Sequence, residues 1–185
     1  MVFESSRYGP EVADILAFDG DGNRLSPLVC APSAPSEIKN KLKTRGPESL
    51  FPKAFAPECA LAGLWLYFSC FKECHEIVDD LSTPEGTYWH AIAHRQEPDA
   101  GNASYWFRQV GSHPLYPKLL EEAHAILERH AGAGFHTGAS WDPFAFVDFC
   151  EQARQQPGSE AELAAREIQR AEWQLLFDHC ARPRT

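Results

Sequence analysis

Paired cysteines, long apolar runs and phosphate-cradling glycine loops are all missing from this 185-residue sequence. Each absence removes a class of protein. Six cysteines are too few for a disulfide scaffold, and none of them form the C-x-x-C pairs of a zinc ribbon. Cys59, Cys70, Cys74, Cys150 and Cys180 fall in apolar, helical surroundings, where a reduced cysteine behaves as a small hydrophobe. No uninterrupted apolar stretch reaches the roughly 18 residues that a membrane helix needs. No charged-then-apolar signal segment opens the chain, so a soluble, cytoplasmic protein is expected. The sequon Asn102-Ala103-Ser104 is then a chance match. There is no Walker loop, no G-x-G-x-x-G, no G-x-S-x-G elbow and no cysteine in an electropositive setting. Nucleotide-binding motifs and nucleophilic catalysis are without support.

Basic residues are also scarce, 17 against 26 acidic ones, for a formal net charge of −9. Such a surface repels phosphate backbones and anionic headgroups, so neither nucleic acid nor a membrane is expected as a partner. The one basic cluster is Lys39, Lys41, Lys43 and Arg45, beside Pro47, and it reads as a solvated loop.

What is present is an ordinary globular composition, 44% hydrophobic and 23% charged. The length fits one structural domain. Residues 1–56 hold Pro10, Pro27, Pro32, Pro35, Pro47 and Pro52 and show little helical periodicity. They are expected to form an extended, proline-rich arm packed on the domain, with a short helix from Ser36 to Leu42. Asp19, Asp21 and Asn23 mimic the opening of an EF-hand loop. The pattern fails where position six is Arg24 instead of Gly and position twelve is Cys30 instead of Glu.

Residues 57–185 read as the helical domain. From Pro57 to Leu81 the residues Leu61, Leu64, Phe68, Phe71, His75 and Val78 recur at three- and four-residue steps, predicting one long central helix. Thr83-Pro84 starts the next helix, to about Glu97, and Asp99 caps a shorter one through Val110. Further helices are predicted over Leu115 to His130, from Asp142-Pro143 to about Gln156, and from Glu160 to about Cys180. The predicted fold is therefore all-α, an irregular bundle of five or six helices.

Chemistry-bearing residues concentrate between His75 and His113. His90, His94 and Glu97 stand at i, i+4 and i+7 on one helix face, and two histidines four apart can chelate one ion. His75 takes an apolar-stripe position where the repeat calls for Leu or Phe, and a buried imidazole must find a partner. If the two helices fold back around residues 82–84, His75 and His90 face each other, each about seven residues from the corner. His75, His90 and His94 are thus candidate ligands for a divalent transition metal (Zn, Fe or Mn), with an open position for water or substrate. A hydrogen-bonded polar network is the alternative reading, in which Glu76 and Asp79 orient the histidines.

Around them lie Arg95, Asn102, Tyr105, Arg108 and His113 as candidate substrate contacts, the arginines suiting a carboxylate or phosphate. Ion pairing with Glu97, Asp99 or Glu85 would explain the arginines equally. Tyr88, Trp89, Tyr105 and Trp106 serve as core or as pocket walls. A single Glu-x-x-His at Glu121 and His124 falls short of a di-iron set, which needs two.

The run W-H-A-I-x-H-R-x-E-x-D-x-x-N-x-x-Y-W-F-R-x-V-G-x-H-P is carried by Trp89, His90, His94, Arg95, Glu97, Asp99, Asn102, Tyr105, Trp106, Phe107, Arg108, Gly111, His113 and Pro114. It resembles the signature of a family of uncharacterised helical proteins from bacteria and fungi, over roughly residues 57–120. The resemblance supports the choice of region and implies no activity. Three functions follow from the residues. The first is a metal-dependent enzyme on a small anionic metabolite, with Glu97 as general base. The second is a non-catalytic small-molecule-binding protein with a His/Glu/Arg pocket. The third is a protein that self-associates as a homo-oligomer through its aromatic surface.

Overall fold

The computed structural model describes residues 3–29 and 31–183. Among them every regular element is helical. The α-helices are α1 (Pro10–Ala17), α2 (Ser36–Lys43), α3 (Pro47–Leu50), α4 (Pro57–Tyr67), α5 (Phe71–Val78), α6 (Pro84–Gln96), α7 (Ala100–Val110), α8 (Tyr116–Arg129), α9 (Pro143–Ala153) and α10 (Glu160–Ala181). The all-α expectation holds, and the count of five or six helices does not: there are ten among the described residues.

Two of the additional helices, α1 and α3, lie in the segment expected to be an extended arm, on either side of the short helix foreseen there. Its prolines start helices instead of excluding them. Pro10 and Pro47 occupy the first turns of α1 and α3, where a missing N–H costs nothing. Pro35 immediately precedes α2, whose span Ser36–Lys43 agrees with the short helix predicted there. Val12, Ile15 and Leu16 follow the i, i+3, i+4 spacing of a buried face, and Ile38, Leu42, Leu50 and Phe51 are buried with them. Each such side chain contributes roughly 1.5–3 kcal/mol on burial. The segment belongs to the same hydrophobic cluster as the rest of the chain.

The other additional helix arises where the predicted helix over residues 57–81 breaks into α4 and α5. Ser69 takes a left-handed φ of 56°. The Cys70 N–H donates to the Trp65 carbonyl and the Ser69 N–H to the Leu66 carbonyl, both at 2.9 Å, closing a Schellman motif. Two further carbonyls at this end are met by the N-terminal segment. Ala34 N–H donates to Phe68 O, and the Arg24 guanidinium donates to Tyr67 O, both at 3.0 Å. Periodicity carried the apolar stripe across the break because Ser, unlike Gly, does not announce a left-handed residue.

The turn after α1, where the calcium-loop mimic lies, is wrapped around a tyrosine. Tyr67 Oη accepts from Gly22 N–H at 3.1 Å and Arg24 N–H at 3.2 Å, and donates to the Asp19 carbonyl. Asp19 pairs with Arg24 at 3.1 Å and Asp21 accepts from the Ser5 hydroxyl. Cys30, the twelfth position of the mimic, lies outside the described residues.

From Thr83 onward the predicted helices match closely, and four of their five starts carry a side-chain cap. Thr83 accepts from Gly86 N–H, Asp99 from Asn102 N–H, Asp142 from Phe144 and Ala145 N–H, and Ser159 from Glu162 N–H. The longest helix, α10, is central and packs against α4, α8 and α9. Its Ala164, Ala165, Ile168, Leu176, Phe177 and Cys180 have no exposed surface. Trp173 and Phe177 stack with centroids 4.8 Å apart, and Phe3, Tyr8 and Phe51 from the N-terminal segment close around them. No helix among the described residues is long and apolar enough to cross a membrane.

Candidate metal centre

The site is built by a tight corner between α5 and α6. Thr83 caps α6 through its side chain, accepting from Gly86 N–H at 3.1 Å, and Pro84 sits in the first turn. A Cβ on Gly86 would come within 2.6 Å of Leu81 Cβ, so only glycine lets the chain turn this closely. The corner lays α5 against α6. His75 then meets His90 and His94 across the interface.

The three imidazoles form a nearly equilateral group. Ring centroids are 5.0 Å apart for His75 and His90, 4.9 Å for His75 and His94, and 4.9 Å for His90 and His94. One nitrogen from each ring lies within 4.8 Å of the other two. Two carboxylates border the group. Glu97, at the end of α6, places Oε2 2.8 Å from His75 Nε2 and 3.6 Å from His94 Nδ1. Asp79, just past α5, places Oδ1 3.4 Å from His90 Nε2 and 4.0 Å from His75 Nδ1. The opposite wall is Trp106 of α7, stacked on His90 with centroids 4.0 Å apart.

Burial grades across the cluster. The His90 side chain is 5% exposed, His94 and His75 are partly covered, and Asp79 is open to solvent at 62%. The pKa of His90 is pushed down to about 4, first by burial and then by the neighbouring His94 and His75. His94 is also lowered, chiefly by burial. Neutral imidazoles with free lone pairs are the form that ligates a metal. His90 Nδ1 is buried and has no hydrogen-bond partner. A divalent cation among the rings, with Glu97 and Asp79 beside them, would offset the crowding of three nitrogens and two carboxylates.

The remaining candidates go elsewhere. Arg95 is 2% exposed and pairs in the core with Glu172, whose other oxygen accepts from Tyr88 Oη at 3.0 Å. Its guanidinium also lies 4.7 Å over the Phe146 ring. Arg95 therefore holds α6 against α10 and does not face the histidines. Asn102 is exposed, and its side chain donates to Asp99 Oδ2 at 2.7 Å, completing the α7 cap. Tyr105 is exposed at 48% and stands edge-on to Trp106. Arg108 is exposed and, with Phe107, His113, Tyr116, Trp141 and Phe144, lines an open groove of about 1010 Å³. The groove is lined by residues other than the histidine trio, so its volume does not mark the histidine cluster. His113 is buried against Glu85 and His179.

Two participants were not singled out from the sequence. Trp106 could be named only as core or pocket wall, because a stacking partner depends on how α7 crosses α6. His179 sits near the end of α10 with nothing in its neighbourhood to distinguish it. No family model matches the chain, and neither a curated protein nor a solved structure matches it.

Proposed function

We propose that the chain is a metal-dependent enzyme for a small molecule, with His75, His90 and His94 holding a divalent transition metal. The observation that carries this reading is the convergence of three imidazole nitrogens within 4.8 Å beside a carboxylate. Three nitrogen ligands leave a coordination position open, and a bound ion supplies Lewis acidity there. Glu97 is partly shielded, and its hydrogen bond to His75 keeps it at the centre, so it is the group to take a proton from water or substrate. Asp79, on the open side, orients His90. Trp106 fixes the plane of the His90 ring.

A substrate of anionic character remains the preferred class, and the bound ion itself would meet its charge, since Arg95 is committed to Glu172 and Arg108 lines the separate groove. The alternative, a small-molecule-binding protein without catalysis, draws on one observation. The 2.8 Å bond between His75 and Glu97 already satisfies one imidazole without any ion. Metal-loaded Glu97→Gln distinguishes the two when screened on small esters and phosphate esters. The enzyme reading expects metal content to stay within about twofold of wild type while turnover falls at least ~10²-fold, in the range of general base loss. Turnover that survives both chelation and Glu97→Gln contradicts it.

A further inference from the structure

We propose that Glu85, His113 and His179 form a second divalent-metal site, distinct from the histidine trio and held by two imidazoles and one carboxylate. Glu85 lies in the first turn of α6, His113 in the connection from α7 to α8, and His179 in the last turn of α10. Three separate stretches of chain thus converge, and one ligand atom from each lies within 4.8 Å of the others. His179 Nε2 is 3.2 Å from Glu85 Oε1, and the His113 ring stands edge-on to His179 with centroids 5.6 Å apart.

The second observation is an unpartnered atom. His113 is 4% exposed, yet its Nε2 is buried without a hydrogen-bond partner. Its Nδ1 is met only by the Leu115 N–H, at a long 3.4 Å. Buried polar nitrogens are nearly always satisfied, by protein, water or an ion. A cation shared by His113, His179 and Glu85 satisfies this one and neutralises a carboxylate that is itself 8% exposed.

The protonation states suit the role. The hydrogen bond with His179 holds Glu85 below the usual carboxylate range, so it is ionised at neutral pH. Burial keeps His113 neutral. Coordination through His113 Nε2 places its proton on Nδ1, at the expense of the long contact from Leu115. Each histidine also borders an opening. His113 lines the groove of about 1010 Å³, and His179 lines a second depression of about 550 Å³ with Phe55, Leu115, Leu175 and Arg182. These two openings give an ion a route in. Two histidines and one carboxylate with open positions are a donor set for zinc or non-haem iron.

The test is a Co²⁺ titration of tag-free, metal-stripped full chain, with uptake counted by elemental analysis. His179→Gln and Glu85→Gln should each bind one equivalent fewer than wild type. His90→Ala/His94→Ala should keep that equivalent, whether or not the histidine trio binds metal. In that double variant the Leu115 amide and His113 ring resonances should shift paramagnetically as Co²⁺ is added. Uptake by His179→Gln and Glu85→Gln equal to wild type overturns the proposal. So do Leu115 and His113 signals that stay in place while the double variant is saturated with Co²⁺. Because His179 is partly exposed at 27%, His179→Gln leaves the core packing intact and keeps the count interpretable.

Discussion

His90 and His113 are imidazoles that the fold keeps neutral, each with a pKa pushed down to about 4 from an ordinary 6.5, burial being the first cause in both. His75, His94 and Asp79 surround the first, and His179 and Glu85 the second. Between pH 6.5 and 4 the unfolded chain binds protons that the folded one refuses, so stability rises with pH across that window. The metal-free protein should therefore melt several degrees lower at pH 5 than at pH 7.5, read by calorimetry. A melting temperature that is flat or rises on acidification contradicts the burial of these rings. At the same scale, the side chains of Arg95 and Glu172 are 1% exposed and face each other in the core. Removing one partner strands a buried charge, at a cost of about 3–5 kcal/mol. Glu172→Ala should lose that much in urea unfolding while leaving metal uptake by the trio unchanged; a loss below ~1 kcal/mol would argue that the pair is solvated. The histidine trio and Glu97 were legible in sequence because i, i+4 spacing and an odd polar residue in an apolar stripe are local signals. The fate of Arg95 was not. Its partner stands 77 residues away, and nothing near either residue records the pairing.

Helix boundaries divide in the same way. Where a side-chain cap or an N-terminal proline marks the start, as at Thr83, Asp99, Asp142 and Ser159, sequence and structure agree to within a residue or two. Where a helix ends through backbone geometry at Ser69, with long-range help from Arg24 and Ala34, the sequence shows an unbroken stripe. Helix contacts carry their own requirement at Gly63 of α4. A Cβ there would lie 2.7 Å from Trp89 Cζ2 of α6, and the Gly63 carbonyl accepts from Trp173 Nε1 at 2.8 Å. Gly63 thus touches both α6, through Trp89, and α10, through Trp173. Gly63→Ala gains helix propensity but forces the helices apart, and overpacking of this kind costs roughly 1–3 kcal/mol. Denaturant titration should show that loss, and a stabilised variant would mean that Trp89 can move aside freely.

Over the whole molecule, the N-terminal third is structural. Its helices α1 to α3 bury Val12, Ile15, Leu16, Ile38, Leu42 and Leu50 in the common core, and Tyr8 Oη donates to Asp178 of α10 at 2.7 Å. Burial worth about 1.5–3 kcal/mol per side chain, over several side chains, is comparable with the 5–15 kcal/mol net stability of a typical domain. A fragment of residues 57–185 should accordingly lose cooperative unfolding and near-ultraviolet circular dichroism. A sharp, native-like melt of that fragment would restore the arm reading. Proline frequency hid α1 and α3 because proline at a first turn and proline in a loop look alike in composition.

The central claim is that the α5–α6 corner brings His75, His90 and His94 together to hold a metal. Its most direct test is elemental analysis of tag-free protein reconstituted with Zn²⁺, comparing wild type with His90→Ala and His94→Gln. With the Glu85, His113 and His179 group disabled by His179→Gln in every sample, the account predicts close to one equivalent in the parent and none in either variant. No metal in the parent, or equal metal in all three, would contradict it and leave the histidines as a hydrogen-bonded network.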